Sequence, residues 1–290
     1  MNLDFKMITG NTPLLRISDK IYAKLETYNP TGSVKDRMVT HVLSAAIREN
    51  KINDSTVLCE ATSGNTGIAL SALAAAQGLK CVIFMPSNMS EERKQMMRVY
   101  GSEIIEAPPD DFEEAIRMRD DYLSKNPNTW SPMQFSNPAN IECHREVTAK
   151  EIHSQVEYQG EIWSAFIHGS GTGGTIEGVR QFIKQSTYEE MKTTKVCMVV
   201  PAEAPHGIQG IGDGKDFLAN PEDMDEVLVI STDDAIDRAK QFARETGILV
   251  GISSGANLLA SERWLEKNDP EGIIVTMLCD RGERYMSIFS

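Results

Sequence analysis

The sequence lacks the features that define several large protein classes. It has 29 Lys and Arg against 42 Asp and Glu, a formal net charge of −13, so it is a poor candidate for sequence-independent nucleic-acid binding. No apolar run approaches the roughly 18 residues of a membrane-spanning helix. The first residues contain no basic region followed by a long apolar segment, so we expect no signal peptide.

Cysteine is scarce and shows no paired spacing. The sequence has five cysteines: Cys59, Cys81, Cys143, Cys197 and Cys279. An odd number without a Cys-x-x-Cys spacing argues against a disulfide scaffold and against a cysteine-based metal site, and we expect no metal. The same usage favours reduced thiols and a cytoplasmic location. Low-complexity segments and short repeats are also lacking.

What the 290 residues do contain is an alternation of apolar, strand-like runs with helical patterns. STVLCEA precedes GNTGIALSALAAAQ, and SAFIHGS precedes TIEGVRQFIKQ. This order predicts an α/β fold with largely parallel sheets. The turn-rich stretch QFSNPAN, near residue 138, interrupts the alternation. We therefore expect two lobes, each a mostly parallel twisted sheet flanked by helices, with a ligand cleft between them.

The first informative loop is SGTGGT, residues 170–175, at a strand-to-helix junction. Its three glycines let backbone N–H groups approach an anion, and the helix start adds a favourable dipole. Thr172 and Thr175 can add hydroxyl donors. We interpret the loop as a phosphate site. Two alternatives stay open: a turn used only for packing, and a nicotinamide-type site with Glu203 as its somewhat distant acidic partner.

Two further loops lie at strand-to-helix junctions. TSGNTG, residues 62–67, offers hydroxyl and amide groups that suit a carboxylate or a neutral polar group. GISSGA, residues 251–256, offers two adjacent serines. Each loop taken alone also fits a simple helix cap, because Ser, Thr and Asn are favoured there.

Lys35 lies in the stretch NPTGSVKDR, where Ser33 and Asp36 resemble a capping box at a helix start. Apolar residues spaced by three and four predict the buried face of this helix: Met38, Val39, Val42, Leu43, Ala46 and Ile47. A partly desolvated lysine near a helix N-terminus has a lowered pKa, and a neutral amine can form a Schiff base. An exposed lysine is the simpler alternative. Together with a phosphate site, however, Lys35 indicates a phosphorylated aldehyde cofactor, pyridoxal phosphate.

These motifs belong to a larger set that runs in order along the chain: TGNTPL, KLETYNPTGSVKDR, EATSGNTGIAL, MPSNMSEERKQMMRVYG, QFSNPAN, GSGTGGTIEGV, HGIQGIGDG, GILVGISSGA and CDRGERYMS. On them the sequence resembles the cysteine synthase family of fold-type II pyridoxal-phosphate enzymes. That family includes O-acetylserine sulfhydrylases and cystathionine β-synthases. NMSEER and CDRGERY look most like the B-type cysteine synthases.

The resemblance implies a role for each candidate site residue. Lys35 corresponds to the Schiff-base lysine and general base, Asn65 to the partner of the cofactor's ring hydroxyl, and Ser253 to the partner of its pyridine nitrogen. The positions that correspond to the substrate-carboxylate site are Thr62, Ser63, Thr66 and Gln134. Those that correspond to the phosphate site are Gly171, Thr172, Gly173, Gly174 and Thr175.

The resemblance also implies the activity and the assembly. The expected reaction is β-replacement, which makes cysteine from O-acetylserine, or a related activated serine, and sulfide through an aminoacrylate intermediate. Residues 1–37 and 139–290 are expected to form a large cofactor-binding domain, and residues 38–138 a smaller mobile domain that closes over the substrate. We expect a cytoplasmic homodimer with small-molecule partners and no nucleic acid or membrane.

Asp213, in the stretch GIGDG, departs from the family pattern, which often has a small neutral residue at this position. An acid there can orient or deprotonate water as the attacking group, so that cysteine and water give serine and sulfide. A surface-turn aspartate is the alternative. Cystathionine synthesis, a nicotinamide-dependent oxidoreductase and a homologue that only binds partners are the other functions left open.

Overall fold

The computed structural model describes residues 5–62, 64–212 and 218–290. Over these residues the chain forms ten strands and ten α-helices. The strands are β1 Leu14–Arg16, β2 Ile21–Leu25, β3 Val57–Ala61, β4 Lys80–Pro86, β5 Glu103–Ala107, β6 Thr129–Trp130, β7 Trp163–Gly169, β8 Lys195–Pro201, β9 Glu226–Ile230 and β10 Ile273–Leu278. The α-helices are α1 Lys35–Arg48, α2 Asn65–Gln77, α3 Glu91–Val99, α4 Phe112–Lys125, α5 Pro138–Cys143, α6 Ala149–Tyr158, α7 Gly174–Gln185, α8 Thr232–Thr246, α9 Ile252–Asn268 and α10 Met286–Phe289. The α/β class expected from the alternating pattern is confirmed.

The chain divides into two compact units. Among the described residues, the first combines 5–9 with those of Asn29–Gln134, and the second combines Gly10–Tyr28 with those of Phe135–Ser290. This division assigns residues 29–37 to the first unit, whereas the sequence interpretation grouped them with the large domain. The closing motion expected of residues 38–138 stays a prediction.

The first unit is built on a four-stranded parallel sheet in the order β5-β4-β3-β6. Helix α2 is buried from Thr66 to Ala74 because its sequence, NTGIALSALAAAQ, is apolar on nearly every side. It begins four residues after β3 ends, so its N-terminus lies next to the carboxyl end of that strand. The parallel topology thereby puts the TSGNTG loop at the sheet edge where ligands bind in such folds.

The second unit is built on a six-stranded sheet in the order β1-β2-β10-β7-β8-β9. Only β1 runs antiparallel to its neighbour, and the other strand pairs are parallel. Every residue of β2 and β10 is buried, as expected for central strands covered on both faces. The glycine-rich loop follows β7 directly, at its carboxyl end.

The prediction of the buried face of helix α1 is wrong at one residue, Ile47. Met38, Val39 and Leu43 are fully buried as expected, but Ile47 is 39% exposed. Ile47 lies in the last turn of the helix, where the chain leaves the core that packs the earlier turns. No helix in the described part of the chain is long and apolar enough to cross a membrane.

Candidate active site

Lys35 is the first residue of α1 and is half-buried. The loop before it is held by the buried carboxylate of Asp36, which accepts hydrogen bonds from Thr31 Oγ1 at 2.6 Å and from the Ser33 N–H at 3.1 Å. The Ser33 bond is the one expected of a capping box, although the helix begins one residue later, after Val34. Asp36 therefore fixes the backbone that precedes Lys35.

Three of the four residues predicted for the carboxylate site are buried in the first unit. Thr62, Thr66 and Gln134 are each at most 3% exposed. Thr66 Oγ1 donates to Gln134 Oε1 at 2.6 Å, and Gln134 Nε2 donates to the Ala61 carbonyl at 3.1 Å. Thr62 Oγ1 accepts from the Gly64 N–H at 3.2 Å. These bonds join Gln134, which is distant in sequence, to the β3–α2 loop.

Asn65 and Ser63 complete the predictions for this loop. Asn65 is the first residue of α2 and is half-buried. Its side chain extends from a helix N-terminus, where the backbone N–H groups of the first turn have no partner within the helix. Ser63 lies outside the described residues, so its predicted role stays a prediction.

The glycine-rich loop of the second unit has no room for side chains at its three glycines. A Cβ on Gly171 would overlap the carbonyl oxygen of Gly210, and one on Gly174 would overlap the side-chain amide of Asn140. Gly173 has a φ of +86°, a left-handed conformation that L side chains rarely adopt. Glycine is thus required at all three positions.

The two threonines of this loop are buried, and their hydroxyl groups have side-chain hydrogen-bond partners. Thr172 Oγ1 accepts from Asn140 Nδ2 at 3.1 Å, and Thr175 Oγ1 lies 3.2 Å from His144 Nε2. His144 Nδ1 in turn lies 2.9 Å from Thr148 Oγ1. Sequence reasoning missed both Asn140 and His144. Asn140 lies in the quoted motif QFSNPAN, which was the one available signal.

Ser253 is brought to the same place as the glycine-rich loop. It is the second residue of α9 and is buried. A Cβ on Gly210 would lie 3.6 Å from Ser253 Oγ, and the carbonyl of that glycine borders Gly171. Gly210 therefore lies between Gly171 and Ser253. Sequence reasoning quoted its motif, HGIQGIGDG, without giving this glycine a role.

These groups fit pyridoxal phosphate. The tight glycine turn at the N-terminus of α7 suits a phosphate, since dipole and backbone donors both favour an anion there. Beside it, the hydroxyl of Ser253 is a neutral group that can donate to a ring nitrogen. The turn and the serine hydroxyl thus suit the phosphate and the ring nitrogen of the cofactor.

The alternative role of Glu203 loses its structural basis. Glu203 accepts a hydrogen bond from the Thr232 N–H at 2.7 Å at the start of α8, and its pKa is lowered by hydrogen bonds to Thr232. Its carboxylate therefore already serves a helix start, not a dinucleotide ribose. Asp213 lies outside the described residues.

Comparisons with known proteins support a pyridoxal-phosphate cofactor. Residues 6–280 match the family described as pyridoxal-phosphate dependent enzyme. The chain is 38% identical, over 97% of its length and 95% of the relative, to cysteine synthase B of Campylobacter jejuni. It is 36% identical, over 97% of its length and 94% of the relative, to a probable cysteine synthase of Bacillus subtilis.

Among solved structures, a hydrogen sulfide-producing enzyme from Fusobacterium nucleatum matches with a TM-score of 0.88 and 34% identity, over 97% of this chain and 89% of that chain. The expected resemblance, the fold-type II architecture and the cofactor are thereby confirmed, and the nicotinamide alternative is set aside. The chain belongs to the pyridoxal-phosphate dependent enzymes, among the cysteine-synthase-like members that carry out β-replacement.

Proposed function

We propose that the protein makes cysteine by replacing the β-substituent of O-acetylserine, or a related activated serine, with sulfide. The observation that carries this proposal is the glycine turn at the start of α7, joined through Gly210 to the neutral hydroxyl of Ser253. A serine at this position does not favour a protonated ring nitrogen as a carboxylate would. That environment suits β-elimination and replacement better than transamination, and the names of the curated relatives point the same way.

When bound, pyridoxal phosphate supplies an aldehyde for the substrate amine and a ring that stabilises negative charge at the substrate Cα. In the proposed roles, Gly171 to Thr175 bind its phosphate, and Asn65 binds its ring hydroxyl. Thr62, Thr66 and Gln134, together with Ser63, bind the substrate carboxylate. Lys35 Nζ removes the Cα proton, and the leaving group departs from Cβ. When sulfide then adds at Cβ, Lys35 returns a proton to Cα.

The test compares a Lys35→Ala variant with a Lys51→Ala control. Lys51 follows the same helix and its side chain is 62% exposed, so its removal leaves the site unchanged. Wild type and control should be yellow with pyridoxal phosphate and should release cysteine from O-acetylserine and sulfide. Lys35→Ala should lose cysteine formation and the lysine-linked absorption band. A colourless wild-type protein that binds no pyridoxal phosphate would refute the proposal.

A second candidate is cysteine desulfhydrase activity, in which water replaces sulfide as the attacking group. It is favoured by the similarity to the hydrogen sulfide-producing enzyme from Fusobacterium nucleatum. In this version Asp213 orients or deprotonates the water. An Asp213→Asn variant should then lose serine formation from cysteine while still releasing sulfide at first turnover. Unchanged serine formation would remove that role from Asp213.

We also propose that the enzyme works as a cytoplasmic homodimer. All five cysteines are free and buried, which suits a reducing compartment. Light scattering on the purified holoenzyme should give twice the 32.1 kDa chain mass. A monomer mass across the working concentration range would contradict the dimer.

A further inference from the structure

A buried ion pair contacts the backbone of Gln134, a residue of the expected carboxylate site. Arg119 Nη1, from α4, donates to Glu60 Oε1 at 2.5 Å, and the two side chains are 5% and 0% exposed. Arg119 Nε also donates to Asp120 at 2.7 Å. Burying two charges costs several kcal/mol of desolvation on the scale typical of proteins, and apolar replacements are often neutral or stabilising. Stability alone is therefore a weak reason for this pair.

The second carboxylate oxygen of Glu60 holds the main chain at Gln134. Glu60 Oε2 accepts from the Gln134 N–H at 3.0 Å, while Oε1 also accepts from the Ala61 N–H at 2.8 Å. Glu60 thus ties β3, α4 and Gln134, which lies four residues after the end of β6, into one buried network. Its oxygens face the backbone of a proposed substrate-binding residue.

The residue before Gln134 has an unfavourable backbone conformation. Met133 has a φ of +52°, a left-handed conformation that L residues other than glycine rarely adopt. Such a conformation persists where surrounding bonds hold it. Here the bonds are the Gln134 N–H to Glu60 and the Met133 N–H to Ser131 Oγ at 3.2 Å.

The side chain of Gln134 is fixed from this backbone. Its Nε2 donates to the Ala61 carbonyl at 3.1 Å, so its Oε1 is turned toward Thr66 Oγ1. Burial raises the pKa of Glu60 above its ordinary value. The Arg119 guanidinium and two backbone N–H groups offset part of that rise. Without Arg119, the carboxylate loses the charge that best offsets its burial.

We propose that Glu60 and Arg119 are positioning residues, which set the backbone of Gln134 so that its amide binds the substrate carboxylate together with Thr66. This inference rests on the proposed function of Gln134. It assigns the pair to substrate binding and not to cofactor binding.

The experiment measures binding of L-alanine to the holoenzyme. L-alanine carries the amine and carboxylate of the substrate but no leaving group, so the change it causes in visible absorption reports binding alone. The variants are Glu60→Gln, Gln134→Ala and the paired Glu60→Gln/Arg119→Met. The pair removes both charges and so strands neither of them. Arg117→Ala is the matched control, because Arg117 lies on the same helix in an exposed pair with Glu114.

We expect Glu60→Gln and the paired variant to raise the Kd for L-alanine about tenfold, the scale of losing a hydrogen bond to a charged group. The absorption band of bound pyridoxal phosphate should stay near wild type in both variants. The urea midpoint should fall in Glu60→Gln, which leaves the Arg119 charge without Glu60, and should stay near wild type in the paired variant. With O-acetylserine as substrate, KM should rise more than kcat falls. Arg117→Ala should behave as wild type in every measurement.

A double-mutant cycle separates positioning from a merely structural role. If Glu60 acts through Gln134, adding Glu60→Gln to Gln134→Ala should not raise the Kd further. Additive effects, or an unchanged Kd in a folded paired variant while Gln134→Ala raises it, would overturn the positioning proposal alone. An unchanged Kd in Gln134→Ala would overturn the role given to Gln134 and the positioning proposal with it.

Discussion

Replacing Gly171 with alanine should weaken cofactor binding through one steric overlap. The added Cβ would overlap the carbonyl oxygen of Gly210, a backbone atom that cannot turn away as a flexible side chain can. Gly210 itself has a φ of +98° and borders Ser253. The overlap must therefore be relieved by moving one backbone segment of the site relative to the other.

The size of the effect follows from the cost of overpacking. Inserting a methyl group into a tightly packed site typically costs about 1–3 kcal/mol. If that cost falls on the bound state, the affinity for pyridoxal phosphate drops by roughly one to two factors of ten. If it falls on the fold instead, the free energy of unfolding drops by the same amount.

The assay is equilibrium dialysis of the apoenzyme against pyridoxal phosphate, with urea unfolding of the apoenzyme in parallel. Gly160→Ala is the control. Gly160 lies in the same unit, has a φ of +72°, and has open space where an added Cβ would lie. It should lose some stability from its backbone conformation and keep its affinity. Wild-type affinity and wild-type stability in Gly171→Ala would refute the close contact between Gly171 and Gly210.

Two further predictions concern stability and reactivity. Burial raises the pKa of Cys59 to about 12 and of Cys81 to about 11, so a thiol-specific disulfide reagent at mildly alkaline pH should react slowly with the folded protein and with all five cysteines after unfolding; rapid reaction of the folded protein would contradict this. Burial opposes ionisation of Asp225, but the Val196 N–H and Lys184 lower its pKa overall. Wild type should thus have a higher free energy of unfolding than Asp225→Asn at pH values above about 3.9, the pKa of an unfolded-state aspartate. This difference should be lost as the pH falls through the lower pKa of Asp225 in the folded protein. Urea unfolding over a pH series measures it, and a constant difference at acidic pH would contradict it.

Much of the fold followed from local patterns in the sequence. The strand-like runs and helical patterns alternate as the α/β class requires, and TSGNTG and SGTGGT lie where a strand gives way to a helix. GISSGA does not: it follows helix α8, because Val250 forms only an isolated bridge with Arg281 and no strand precedes α9. Lys35 lies at the start of α1, as the turn and capping residues before it indicated. Local backbone preferences decide these features, so a single sequence reveals them.

The parts that escaped prediction depend on contacts distant in sequence. Arg119 looks like any other charge on α4, and nothing nearby in sequence points to Glu60, 59 positions away. Gly210 is one glycine among 21 until the fold brings it against Gly171. Ile47 fits the helical spacing but lies beyond the core that covers the earlier turns. Tertiary packing decides all three, and local periodicity does not report it.

The most direct test of the account is to identify the lysine that binds the cofactor. The holoenzyme is reduced with borohydride, which fixes the carbon–nitrogen bond between cofactor and lysine, and the digested protein is analysed by mass spectrometry. We expect the pyridoxyl phosphate mass on the peptide that contains Lys35 and on no other lysine. An adduct on a different lysine, or no adduct in a protein that retains activity, would contradict the central role of Lys35.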